Sequence, residues 1–308
     1  MKTLAIVVPC YNEEETIHSF LEACQSVEKQ IANQLAFNYY FVNDGSKDKT
    51  LEVLRQVSKQ FENVHYLSFS RNFGKEAGLL AGLEAAQGDY VTVMDADLQD
   101  PPELLIEMYA KIQEGYDVVG TRRADRKGEP PIRSIFAKTF YWLINKVSDT
   151  EMVDGARDFR LMTRQVVDAI LELKEVNRFS KGLFSWVGFD VAYVSYENRE
   201  RVAGETSWSF WKLLNYSLDG FINFSEVPLK LATWAGTFSF LISLVGIVFV
   251  IIRKLTIGGS VAGWASLVSI ILFIGGIQLL ALGIIGHYIS KIFLETKKRP
   301  VYIIKEKG

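Results

Sequence analysis

An α/β domain on an open, mostly parallel sheet, followed by a two-helix membrane hairpin, is the architecture this sequence predicts. Short apolar runs alternate with amphipathic helical patterns over residues 1–125, three of those runs end in polar, acidic clusters, and two long, nearly uncharged segments lie toward the C-terminus.

Leu4 to Val8 reads as the first strand, and Ile17, Phe20, Leu21, Cys24, Val27 and Ile31 recur at helical spacing behind it. Tyr39 to Val42, His65 to Phe69, Tyr90 to Met94 and Asp117 to Gly120 continue the strands, with helices over about Leu51 to Phe61 and Glu76 to Ala86. In such sheets ligands bind beyond the carboxyl ends of the strands. The acidic clusters fall there.

The 308 residues carry 34 basic and 36 acidic side chains, a net charge of −2, which excludes a broadly basic nucleic-acid binder. A hydrophobic content of 49% excludes a largely disordered chain. Cys10 and Cys24 are too few for a disulfide framework or a thiolate zinc site and read as packing thiols in a reducing compartment. His18, His65 and His287 are too scattered for a metal cluster. The first apolar run stops at Pro9 before Asn12-Glu13-Glu14-Glu15, unlike a signal peptide, so the soluble part is expected in the cytosol.

Between Leu231 and Ser290 the only charged residues are Arg253 and Lys254. Leu231 to Ile252 would span roughly 33 Å as a helix, matching a hydrocarbon core of about 30 Å. A second apolar run follows from about Ala265 to Ile289. Lysines and arginines flank the outer ends of the pair more heavily than its loop, which puts both ends in the cytoplasm. The alternative is a hairpin buried in a soluble core. Gly275-Gly276, Gly283 and Gly286 suit close helix contact within the hairpin, or between copies in a homo-oligomer. Trp208, Trp211, Leu214, Leu218, Phe221 and Ile222 form a stripe that fits an interfacial helix or a core-facing one. Ile132, Ile135, Phe136, Phe140 and Leu143 form a similar stripe.

The strand-end clusters are Pro9-Cys10-Tyr11-Asn12-Glu13-Glu14, Asn43-Asp44-Gly45-Ser46-Lys47-Asp48 and Asp95-Ala96-Asp97-Leu98-Gln99-Asp100-Pro101-Pro102-Glu103. No G-x-G-x-x-G follows the first strand and there is no Walker A loop. Asp95 and Asp97 would repel each other without a cation between them. Hard oxygen ligands with an incomplete protein shell suit magnesium or manganese when substrate phosphates complete the coordination.

Val7 to Glu14, Val42 to Thr50, Asp95 to Glu103 and Arg201-Val202-Ala203-Gly204-Glu205-Thr206, followed by two spans, together resemble a family 2 glycosyltransferase of GT-A (Rossmann-like) fold. More narrowly, the chain resembles the polyprenyl-phosphate glycosyltransferases, bacterial relatives of dolichyl-phosphate mannose synthase. The resemblance implies a cytosolic catalytic domain over 1–206, an interfacial helix over 207–228, a transmembrane hairpin over 229–290 and a cytosolic tail over 291–308. It implies that Pro9, Tyr11, Glu13, Asp44 and Asp95 bind the nucleotide-sugar, that Asp95, Asp97 and Gln99 hold Mg2+ or Mn2+ with the diphosphate, and that Arg201 closes over the donor phosphates. Arg122 and Arg133 would receive the acceptor phosphate. Asp97, Asp158 and Arg201 would be catalytic, Asp158 as a base or an orienting group. A surface carboxylate paired with Arg157 or Arg160 is the alternative for Asp158. The mannose synthase branch has a Lys shortly after the Gly-Glu-Ser/Thr element, where Ser207 and Trp208 stand here.

The implied activity is inverting transfer of one sugar, first UDP-glucose and otherwise mannose or N-acetylglucosamine, to polyprenyl (undecaprenyl) phosphate in the bacterial plasma membrane. A processive synthase would need further spans and a Gln-x-x-Arg-Trp element, which does not appear around Phe184-Ser185-Trp186. A non-catalytic nucleotide-sugar-binding membrane component is the other alternative.

Overall fold

The computed structural model describes residues 1–123, 142–146, 153–196, 225–256 and 263–308. Arg133, Arg201, the Gly-Glu-Thr element, most of the expected interfacial helix and most of the 132–143 stripe lie outside them.

Eight strands form one mixed sheet: β1 (Lys2–Cys10), β2 (Leu35–Asn43), β3 (Val64–Phe69), β4 (Tyr90–Val93), β5 (Val118–Arg123), β6 (Ala156–Thr163), β7 (Val191–Tyr196) and β8 (Ile304–Lys307), in the order β7-β5-β6-β4-β1-β2-β3-β8. The block β4-β1-β2-β3 is parallel, as the alternating pattern requires. β6 runs antiparallel to both β4 and β5, and β8 antiparallel to β3.

The central strand β1 is apolar from Leu4 to Val8 because helices cover it on both faces. On one face α1 (Ile17–Ile31) buries Ile17, Phe20, Leu21, Cys24, Val27 and Ile31, beside α2 (Thr50–Gln60) and α4 (Leu104–Gln113). On the other, α3 (Lys75–Ala85) lies close on β1 and β2 through small residues: a Cβ at Gly82 would stand 2.2 Å from Val7 Cγ1. The helix α5 (Arg164–Glu172) packs on the same side, and α6 (Ser180–Trp186) adds Phe184 to that cluster. Cys10 and Cys24 are buried free thiols.

Two long helices follow, α7 (Val227–Thr256) and α8 (Trp264–Thr296), both long and apolar enough to cross a membrane. They pack against each other, and the Tyr288 hydroxyl donates to the Ser225 carbonyl at 2.7 Å, so the two outer ends lie together. Among the described residues none of either apolar window is buried, and Phe238 and Leu279 are 66% and 71% exposed. The described residues thus do not bury the hairpin in a soluble core. A Cβ at Gly275, Gly276, Gly283 or Gly286 would meet nothing within 4 Å, so these glycines do not serve packing within the hairpin.

Beyond Ile289, where the apolar run ends, α8 continues for two turns. The chain then returns to the sheet: Tyr302 stacks on Phe69, and β8 covers the edge of β3 with Glu306 bonded to Arg55 and Tyr66. The segment expected as a tail is thus a helical stub and an edge strand. Its charge run Lys305-Glu306-Lys307 reads as solvated chain, but edge strands carry such charges too.

Candidate active site

The parallel block brings the ends of β4, β1, β2 and β3 side by side, so all three acidic loops, and a fourth after β3, meet on one rim. Two of these loops spend much of their polarity on each other. Asn12 N–H donates to Ser46 Oγ (2.9 Å), Lys47 N–H to Asn12 Oδ1 (2.8 Å), Glu13 N–H to Thr50 Oγ1 (2.8 Å) and Lys49 N–H to Glu14 Oε2 (2.7 Å). Glu13 Oε2 accepts the Thr16 hydroxyl at 2.8 Å. Asp44 is buried, and its two oxygens accept the N–H groups of Phe73 (2.6 Å) and Gly74 (2.9 Å). Burial nevertheless raises its pKa above the ordinary carboxylate value. Asp44 thus ties the second loop to the fourth. Tyr11, by contrast, stays 41% exposed at the rim, next to Pro9 at the end of β1.

The third loop turns sharply. Leu98 adopts φ +56°, a left-handed conformation unfavourable for a branched side chain, and Gln99 N–H donates to Asp97 Oδ1 at 3.2 Å. Asp95, Asp97 and Gln99 offer hard oxygens, a donor set that fits a divalent cation sharing its coordination with a diphosphate. Among the described residues no group of three or more His, Cys, Asp or Glu side chains gathers as a self-sufficient metal cage.

A cation that the sequence reading missed stands at the centre of the site. The Lys75 ammonium, at the start of α3, lies 2.8 Å from Asp95 Oδ1 and 2.7 Å from Asp158 Oδ2. It follows Ser70-Arg71-Asn72-Phe73-Gly74 at the end of β3, so the strand-end rule applied to the other three loops points to it equally.

Asp158 reaches Lys75 from the antiparallel strand β6. Gly120 pairs with Arg160, but the register then shifts so that Ala156, not Asp158, stands opposite Arg122. Such irregularities re-aim side chains beside functional sites. Arg157 bonds Asp100 (3.3 Å), which also takes the Tyr196 hydroxyl, while the Arg160 guanidinium lies 3.9 Å from the centroid of the Phe184 ring and its Nε donates to the Asp158 backbone carbonyl at 3.4 Å. Burial works to raise the Asp158 pKa, but Lys75, with Lys181 and Arg160 adding charge, holds it far below the usual carboxylate range. Lys75 is correspondingly raised against its own burial penalty. Arg122 is exposed on β5 at the same end of the sheet, beside Gly155.

The sequence model of glycosyl transferase family 2 matches residues 5–171, from the first strand through Asp158. The chain belongs to this family. It is a glycosyltransferase of GT-A-like fold. The uncharacterized glycosyltransferase sll0501 of Synechocystis sp. is 43% identical over 98% of this chain and 95% of its own length. The SfII prophage-derived bactoprenol glucosyl transferase of Shigella flexneri is 42% identical over 98% and 97%, and the prophage bactoprenol glucosyl transferase homolog of Escherichia coli (strain K12) 40% over 98% and 98%. Among solved structures, mannosyl-3-phosphoglycerate synthase from Rubrobacter xylanophilus is a distant likeness, with 18% identity, a TM-score of 0.49 and 71% of each chain aligned.

For a family 2 glycosyltransferase the rim is arranged by charge. Lys75 joins Asp95, on the loop after β4, to Asp158 on β6.

Proposed function

We propose that this glycosyltransferase moves one glucosyl unit from UDP-glucose to polyprenyl phosphate, with inversion at the sugar's C1, on the cytosolic face of the bacterial plasma membrane. One observation carries the reading: an acidic strand-end rim and two candidate membrane spans lie in one chain that matches bactoprenol glucosyl transferases along nearly its whole length. The excess of flanking lysine and arginine supports the cytosolic placement.

The acceptor is a phosphate monoester with a second pKa near ~6, mostly dianionic at neutral pH, so it attacks without a strong base. The enzyme's work is to bring two anions together, align a phosphate oxygen with C1 and stabilise the leaving diphosphate. Pro9 and Tyr11 frame the base. Glu13 and Asp44 bear on the ribose side chiefly by fixing the loops. Asp95, Asp97 and Gln99 would hold Mg2+ or Mn2+, which when bound neutralises the diphosphate charge. Arg201 covers the donor phosphates, and Arg122 and Arg133 receive the acceptor phosphate through the guanidinium fork. Asp158, held ionised by Lys75, is a poor proton acceptor at neutral pH, and orienting the sugar or an arginine is its role.

The test is purified full-length protein with Mg2+ or Mn2+, undecaprenyl phosphate and radiolabelled nucleotide-sugars. UDP-glucose should give a lipid-linked monosaccharide. Product from a GDP-mannose or UDP-N-acetylglucosamine donor instead would reassign the sugar, and polymer would reject single transfer.

A further inference from the structure

The second long helix continues past its apolar run, to Thr296. Its helical stub reaches the catalytic domain, where Glu295 Oε1 accepts the N–H groups of Val176 (2.9 Å) and Asn177 (3.0 Å) and Oε2 lies 3.1 Å from the Val176 nitrogen. One turn earlier, Lys291 Nζ donates to Asn177 Oδ1 at 2.9 Å. A carboxylate in the last turn of a helix opposes the macrodipole, so its place here needs a compensating contact. Charge-assisted bonds from two consecutive backbone amides supply one.

The docked segment leads into the active site. Three residues past Asn177, Ser180 donates its N–H to Glu76 Oε2 at 3.0 Å, and its hydroxyl bonds the same oxygen. Glu76 is the chain neighbour of Lys75, which bridges Asp95 and Asp158, and Lys181 adds its charge toward Asp158. Residues 176–181 are therefore held at one end by the membrane helix and at the other by the catalytic rim. At 1.5 Å per residue, Glu295 stands about 9 Å along the helix beyond Ile289, at the outer boundary of a headgroup layer about 5–7.5 Å deep.

We infer that Glu295 is a positioning residue for the lipid acceptor: it fixes the Asp158 side of the active site at the height of the acceptor phosphate in the bilayer. The inference rests on the polyprenyl-phosphate reading above. Glu295 spends its carboxylate on the Val176 and Asn177 backbone, so a small acceptor that diffuses to the site has no need of it.

The experiment compares full-length wild type and Glu295→Ala, with radiolabelled UDP-glucose and Mg2+, on two acceptors. One is undecaprenyl phosphate in vesicles of phosphatidylethanolamine and phosphatidylglycerol, the other water-soluble citronellyl phosphate. The variant should raise KM for the embedded acceptor by about tenfold while kcat and KM for the soluble acceptor and for UDP-glucose stay within about twofold. Glu295→Gln, which keeps one acceptor oxygen, should fall between. Equal losses on both acceptors would mean a merely structural role, and unchanged kinetics on both would mean no role; either overturns the inference alone. Wild-type protein that glucosylates neither acceptor would overturn the underlying reading and the inference with it.

Discussion

Lys75 Nζ lies 2.7 Å from an oxygen of Asp158 and 2.8 Å from one of Asp95, so a single ammonium links carboxylates from β6 and from the loop after β4. The pairs are part-exposed, so their worth to stability is modest, on the order of 1 kcal/mol. On the proposed function their worth to catalysis is greater, because they would fix charge where the diphosphate leaves. Lys75→Met should lower kcat about 100-fold or more, with a melting temperature close to wild type. A variant retaining near-normal turnover would remove Lys75 from the site's chemistry.

The divalent cation is testable separately. Chelation with EDTA should stop transfer, and Mg2+ or Mn2+ should restore it. Asp97→Ala should abolish turnover at any metal concentration tested, while Asp97→Glu should recover part of it at raised metal. Metal-independent product from Asp97→Ala would reject the assigned ligand set.

Gly45 tests the geometry of the loops. It sits at φ +61°, and a Cβ there would stand 2.4 Å from the Arg71 carbonyl carbon and 2.6 Å from the Asn72 nitrogen. Backbone cannot retreat cheaply, so Gly45→Ala should cost roughly 1–3 kcal/mol and weaken UDP binding by displacing Asp44 from Phe73 and Gly74. Thermal unfolding and calorimetric titration with UDP would measure both; normal values in both would show that the second and fourth loops move independently.

The C-terminal strand carries a pH dependence of defined sign. Hydrogen bonds from Arg55 and Tyr66 lower the Glu306 pKa from 4.5 to about 2. The folded value lies below the unfolded one, so the stabilisation is complete above pH 4.5 and lost as the pH falls through about 2. Release of β8, followed by hydrogen exchange at Tyr66 and Gly308, should increase across that window in wild type. Glu306→Gln should show exchange already raised at neutral pH and flat through the window; an identical acid profile in both proteins would assign the transition elsewhere.

Much of this protein was legible in its sequence, for identifiable reasons. Burial on both faces made β1 a continuous apolar run, and one-sided burial gave α1 its helical spacing, so strand and helix declared themselves. The strand-end rule placed Asp95 and Asp97 on the rim. It did not reveal that Asn12, Glu14, Ser46 and Asp48 bond across loops, since a polar turn reads the same whether its partner is ligand or protein. The partner of Asp158 was invisible because Lys75 is 83 residues away in the chain and meets it only through β6's antiparallel insertion beside β4. β8 was missed because four residues with three charges lack any core-facing pattern.

The most direct measurement of the central claim is the ratio of UDP released to lipid-linked glucose formed, with undecaprenyl phosphate in vesicles and UDP-glucose as donor. Transfer of one sugar to the lipid's own phosphate predicts equimolar UDP and an acid-labile, chloroform-soluble monosaccharide. UDP released without lipid product, or several UDP for each modified lipid, would contradict it.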